Sequence, residues 1–224
     1  AKTHTYLKNY DDALNSYDKL LNKYPKSIFS GRSYLNKGLI LYNDDQLLEA
    51  KLILEKTVKV FKGDQVTNQA LNTWKEILIK TGKVDVFSEW LKKEQINSFS
   101  ESEISNSAFE SIEKYFFEKK NKQAQKQIQD FLLRYPNHSK TTLLKYYLAD
   151  INFQDKQWNN AFQLYEQIMN LPFNEYSEKS TVNAILSLQN LNQILNTESL
   201  LVKLKKITVH EENINFANTN LMAL

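Results

Sequence analysis

The chain contains no cysteine. Disulfides, thiolate nucleophiles and cysteine-based zinc sites are excluded together, while the compartment stays open, because a chain without thiols suits oxidising and reducing spaces alike. Glycine and proline are scarce, four and three in 224 residues, too few for a β-rich protein with many tight turns. Four isolated glycines also cannot build a phosphate-cradling loop. Neither sign of charge dominates: 29 Lys and Arg against 26 Asp and Glu leave a formal net charge of +3. That small balance argues against a dedicated nucleic-acid binder, whose basic face would be stronger. No apolar run reaches the length of a membrane span. No signal-peptide pattern starts at Ala1, which says nothing about what precedes it.

Catalytic and metal signatures are also missing. His4, His138 and His210 are the three histidines, and none has a second histidine at i+3 or i+4, so no helix face pairs them for a metal. They are expected on surfaces and in turns. The acidic pairs Asp11-Asp12, Asp44-Asp45 and Glu211-Glu212 stand where helices begin, favouring the positive end of the helix dipole rather than proton transfer. No serine sits in a nucleophile elbow. The two basic runs, Lys119-Lys120-Asn121-Lys122 and Lys203-Leu204-Lys205-Lys206, fall in a hairpin turn and at a helix end. No enzymatic activity, cofactor or metal is expected.

What is present is a helical repeat. Ala13–Pro25 (ALNSYDKLLNKYP) and Ala124–Pro136 (AQKQIQDFLLRYP) share one pattern. In each, a small Ala is followed at +4, +7, +8 and +11 by large apolar residues, and Pro closes the run. The followers are Tyr17, Leu20, Leu21 and Tyr24 in the first copy, and Ile128, Phe131, Leu132 and Tyr135 in the second. That spacing places one apolar stripe on one helix face. Equivalent anchors fall at Ala13, Ala50, Val86, Ala124, Ala161 and Thr197, at intervals of 36 to 38 residues. Such self-similarity signals stacked hairpins. A small or apolar residue stands twelve before each anchor: Ala1, Gly38, Trp74, Ile112, Ala149 and Ile185. Turn residues separate the two helices of each unit. The periodicity predicts helices over 1–8, 10–23, 28–43, 46–61, 65–81, 84–95, 102–119, 122–135, 139–154, 157–170, 175–195, 198–207 and 211–224. Ser98 to Ser107 is the one shift in composition. It reads as a polar connection with Ser100 and Glu103 in capping-box spacing, or as a joint over 94–104 between two three-unit blocks.

This pattern resembles the tetratricopeptide repeat. Gly38, Ala50 and Leu54 fit that family's frame, as do Ala149, Ala161 and Tyr165, and Pro25 and Pro136 close their units. The resemblance implies an all-α, right-handed α-solenoid of antiparallel helix hairpins over residues 1–224, with about six repeats and a terminal half-repeat. Long units ending in Tyr-Pro resemble those of bacterial cell-envelope proteins, so a periplasmic or envelope location is expected. Ala1 already sits at the small position and Glu211 to Leu224 reads as the first helix of a seventh unit, so a piece of a longer array is expected.

The resemblance further implies that first helices line a concave binding face and second helices the convex one. On that frame the partner-facing residues are Arg32, Leu39 and Tyr42, then Asn68 and Lys75, then Asn106, Glu113, Phe116 and Phe117. Tyr146, Asp150 and Phe153 follow, then Lys179. Leu35, Leu71 and Phe109 share these faces and are expected to pack between units. The family also includes clamps for a terminal carboxylate, but where such a clamp places its first lysine this chain has Leu35, Leu71, Phe109, Tyr146 and Val182, which argues against one. The expected function is a non-catalytic scaffold holding a protein or peptide, with no nucleic acid and no membrane span. The alternative is the helical scaffold domain of an enzyme, such as a cell-wall lytic enzyme, whose catalytic domain lies elsewhere.

Overall fold

The computed structural model describes residues 2–6 and 9–224, apart from the side chains of Thr3, Tyr6 and Asp85. Ala1, expected at the first small position, and Leu7 and Lys8, at the end of the expected helix 1–8, lie outside the described residues. Among the described residues there is no strand, and the helices come in successive pairs. These are α1 (Lys2–Tyr6) with α2 (Tyr10–Lys23), α3 (Ser30–Asn43) with α4 (Leu47–Val60), and α5 (Gln65–Thr81) with α6 (Val84–Lys93). Then come α7 (Glu101–Phe117) and α8 (Asn121–Arg134), α9 (Thr141–Gln154) with α10 (Trp158–Met169), α11 (Ser177–Asn190) with α12 (Glu198–Ile207), and α13 (Glu211–Met222). The chain forms two compact units, Ala1–Ser111 and Ile112–Leu224. The division falls within α7, beyond the 94–104 stretch.

One turn, used five times, sets the register. Asp45, Gly82, Lys119, Lys156 and Asn192 each adopt a left-handed φ, between 57° and 69°. Next to each, a backbone N–H reaches back to a carbonyl in the last turn of the first helix. These bonds are Gln46 to Leu41, Lys83 to Leu78, Lys120 to Tyr115, Gln157 to Asn152 and Gln193 to Leu188, all at 2.8–2.9 Å. The motif satisfies carbonyls that a helix end would otherwise leave unpaired. Five residues after each left-handed position stands a side chain with no exposed surface: Ala50, Phe87, Ala124, Ala161 and Thr197.

This corrects the third anchor. Val86 is 42% exposed while Phe87 is fully buried, so the unit's second helix is rotated by one residue from its expected placement, and Leu91 rather than Trp90 takes the position four further on. α6 is also two residues shorter than expected. It is closed by Gln95 at φ 56°, with Ile96 N–H bonded to the Leu91 carbonyl at 2.9 Å. The expected continuous helix 175–195 ends at Asn190, because the turn at Asn192 intervenes, and a 3-10 turn over Ile194–Thr197 leads into α12.

The stripes are narrower than the sequence spacing suggests. In α2 only Ala13, Tyr17 and Leu21 are buried, and Tyr24 is 56% exposed. Tyr24 is the residue at which the helix stops, since Pro25 disfavours a helical conformation before it. The polar run at Ser98 to Ser107 opens α7 with the expected capping box. Glu103 N–H donates to Ser100 Oγ at 3.2 Å, and Ser100 N–H donates to Glu103 Oε2 at 2.8 Å. The Ser100 N–H bond first, and then the one the Ser100 hydroxyl donates to the same oxygen at 2.8 Å, hold the Glu103 carboxyl below its ordinary value.

Each unit has its own core. In the first, Leu35, Leu54, Leu71, Trp74 and Phe87 form one cluster. In the second, Ala149, Ala161, Tyr165 and Ala184 form one, and Ile185, Leu201, Leu204 and Ala217 another. Burying a large side chain of this kind contributes roughly 1.5–3 kcal/mol. A polar bond recurs at the hairpin interfaces. Asn36 Nδ2 donates to the Tyr17 hydroxyl and Asn183 Nδ2 to the Tyr165 hydroxyl, each at 3.2 Å. Both tyrosines lie four residues after an anchor, and both are buried. Without its asparagine, such a hydroxyl would lose a hydrogen bond whose absence costs roughly 1–3 kcal/mol.

Candidate functional site

First helices approach one another directly within each unit, α3 with α5 and α9 with α11. Their second-helix partners carry the fully buried anchors, and the first helices carry the residues that the sequence singled out.

In the first unit, Arg32 and Asn68 are exposed, and Leu39, Tyr42 and Lys75 are half-buried. Leu39 and Tyr42 pack on the core. Tyr42 is further engaged: its hydroxyl donates to Glu76 Oε2 at 2.8 Å, and Lys80 Nζ sits 4.2 Å from its ring centre. Lys75 Nζ lies 5.0 Å from the Phe99 ring centre. Asn68 lines a shallow depression with Leu71, Asn72, Phe99 and Glu103. Asn106 is exposed on α7. Leu35, Leu71 and Phe109 are buried, in keeping with packing.

In the second unit the aromatic residues hold one another. Phe116 stacks on Tyr147 with ring centres 3.9 Å apart at 13°, and Phe117, 65% exposed, meets both edge-on. The Tyr147 hydroxyl donates to Glu113 Oε1 at 3.3 Å. Burial, reinforced by that carboxylate, pushes the Tyr147 phenol up to about 12. Phe153 packs edge-on against Trp158 at 4.9 Å, and Asp150 accepts from Gln154 Nε2 at 2.7 Å. Tyr146 stacks on Tyr176 at 5.4 Å and 28°. Burial raises the Tyr146 phenol, and burial followed by the adjacent Glu175 pushes Tyr176 up to about 12.

A cleft of about 760 Å³ opens in this unit between α9, α11 and α13. Of the expected residues, Tyr146 and Lys179 line it, as does Val182. The remaining wall was not anticipated from sequence: Glu175 and Glu178 with Asn183, and His210 to Asn213 at the start of α13. Glu178 is its structural centre. It accepts hydrogen bonds from the Thr208 hydroxyl and Asn213 Nδ2, and its two oxygens lie 2.8 and 3.0 Å from His210 Nδ1. Burial opposes ionisation of this carboxyl, but the bonds from Thr208, Asn213 and His210 together hold it below its ordinary value. The only sequence signal was the register, which marks α13 as another first helix and so places its start beside that of α11.

Among the described residues no group of three His, Asp or Glu side chains gathers as a metal site, and no helix is long and apolar enough to cross a membrane.

Residues 1–27 match the family model for the tetratricopeptide repeat. No curated protein sequence matches the chain. Similar solved structures include YrrB, described as a TPR protein with an unusual peptide-binding site, at 10% identity and TM-score 0.44, covering 91% of this chain and 97% of that one. The Pseudomonas aeruginosa protein pilF is similar at 14% identity and TM-score 0.43, covering 97% and 92%. A tetratricopeptide repeat protein from Parabacteroides merdae is similar at 12% identity and TM-score 0.41, covering 99% and 95%.

Proposed function

We propose that this array of tetratricopeptide-type helix pairs is a non-catalytic scaffold that holds a protein or peptide partner on its first-helix faces. The observation that carries the reading is the cleft of the second unit, whose walls come from three first helices, α9, α11 and α13, and the turns that open them. The second helices α10 and α12 contribute nothing to it. A cleft of alternating polar, aromatic and aliphatic groups can anchor a few partner side chains while its rim excludes water. The Tyr-Pro unit endings at Tyr24-Pro25 and Tyr135-Pro136 support a place in a bacterial cell envelope, within a larger protein.

Photocrosslinking residues placed singly at Asn68 and Lys179, on first helices, and at Lys126 and Gln163, on second helices, test this in cells making the full protein. All four positions are exposed. A discrete protein adduct from Asn68 or Lys179 and none from Lys126 or Gln163 is expected. Adducts from the second helices alone would overturn the face assignment. Fractionation of the same cells tests the envelope placement, which a purely cytosolic protein would refute.

A further inference from the structure

The cleft of the second unit is acidic, in a chain whose formal net charge is +3. Glu175, Glu178, Glu211 and Glu212 line it against a single lysine, Lys179, and His210. The carboxylates are not equivalent. Glu178 is committed to Thr208, His210 and Asn213, so its oxygens are already occupied by the wall. Glu175, Glu211 and Glu212 are exposed, and no described lysine or arginine forms an ion pair with any of them. Helix starts account for these carboxylates as dipole partners, Glu211 and Glu212 at α13 and Glu175 two residues before α11, and Glu175 also meets the Tyr176 hydroxyl, but they do not account for what lies between. There, Tyr146, stacked on Tyr176, and Val182 give the cleft an aromatic wall and an aliphatic one.

Carboxylates at a rim above an aromatic ring and an aliphatic surface match one kind of side chain: a long apolar stem ending in a cation. The stem lies along the apolar wall and the head stays at the wet rim. A cation near a tyrosine face gains further from the ring quadrupole. We propose that this cleft binds a basic peptide segment, seating a lysine or arginine along Tyr146 and Val182 with its charged head among Glu175, Glu211 and Glu212. The inference rests on the scaffold reading above and gives the partner its charge.

Fluorescence anisotropy of the full chain with two labelled probe peptides tests it. One is a short lysine-rich peptide with a single leucine, the other the same peptide with each lysine replaced by glutamate. The lysine probe should bind at least about tenfold more tightly at low salt, and lose much of that preference near 0.3 M salt, where exposed charges are screened. Glu175→Gln, and the pair Glu211→Gln with Glu212→Gln, should each weaken the lysine probe roughly three- to tenfold, as expected for rim charges. Glu198→Gln on α12 should not. If the α13 pair unsettles that helix, Glu175→Gln, outside any helix, carries the test. Equal binding of the two probes overturns the proposal, as does binding of neither. Preference for the glutamate probe, abolished by Lys179→Ala, also overturns it while leaving the scaffold reading intact. That reading falls separately, on the crosslinking pattern.

Discussion

At Gly38 two helices come close for a reason that can be measured. A Cβ added there would lie 2.7 Å from Leu54 Cδ2 and 2.9 Å from Leu54 Cγ, with Ile53 Cγ2 at 3.6 Å. Carbon contacts are most favourable near 3.5–4.0 Å, so Gly38→Ala pushes a methyl about 1 Å into its neighbour. Leu54 has no exposed surface and packs in the core of the first unit, so it cannot swing clear into solvent. Two effects oppose each other. Replacing glycine inside a helix gains up to about 1 kcal/mol of helix propensity, while overpacking a closed core costs about 1–3 kcal/mol. The balance predicts a net loss of about 1–2 kcal/mol, or a melting temperature lower by roughly 2–8 °C for a chain of this size. Gly31→Ala in the same helix is the internal control. The nearest atoms to its new methyl would be in the Phe61 ring and Val66 Cγ2, at 3.2–3.3 Å, and its cost should be clearly smaller. Urea unfolding followed by circular dichroism reads both. Adding Leu54→Ala should relieve part of the Gly38→Ala penalty, a coupling of roughly 1 kcal/mol between touching residues. A Gly38→Ala protein as stable as the parent, or no coupling to Leu54, would refute the close-packing argument.

Ala161 is fully buried in the core cluster with Ala149 and Ala184, so Ala161→Leu should cost roughly 1–3 kcal/mol, and an unchanged thermal melt would contradict its placement. Lys156 holds φ 58° at an exposed turn. A side chain there costs roughly 1–2 kcal/mol, offset by the roughly 0.5–1 kcal/mol of chain entropy that glycine loses on folding. Lys156→Gly should therefore stabilise by about 0.5–1 kcal/mol in the same melt, and a loss would count against it. The Glu178 carboxyl sits below its ordinary value, so its ionised form stabilises the fold above the unfolded value of about 4.3 and that contribution disappears as pH falls through the folded value. Protection of α13 amides, corrected for intrinsic exchange at each pH, should fall as the pH drops below the ordinary carboxylate range in the parent, and Glu178→Gln should already show low protection at neutral pH and little further change in acid. Identical pH profiles for the two proteins would refute this.

The helices were legible because each hairpin repeats the same apolar spacing. The placement of α2, α4, α8 and α10 follows from their Ala anchors, and the Ser100–Glu103 cap from its spacing. The register slipped where the anchor is not small: Val86 and Phe87 are both large and apolar, and periodicity alone does not choose between neighbours. Gly82 does choose, because its left-handed turn stands five residues before the buried position, as Asp45, Lys119 and Lys156 do in their units. The chain disguises this signal by using polar residues with a Cβ where glycine is usual. The acidic cleft was hidden for another reason. Glu178 meets Thr208, His210 and Asn213, residues a full repeat away, and their meeting depends on how one hairpin stacks on the next. Sequence spacing within a helix carries no trace of it.

The regularity of the turns also bears on how the chain would respond to force. The buried positions at Ala50, Phe87, Ala124 and Ala161 stand 37 residues apart. Each hairpin that unfolds therefore releases the same length of chain as the next, roughly 120–130 Å at 3.3–3.6 Å per residue. Pulled at its termini, the molecule would lengthen in equal increments, with a stack of hairpins acting as a tether whose slack is metered in units of one repeat.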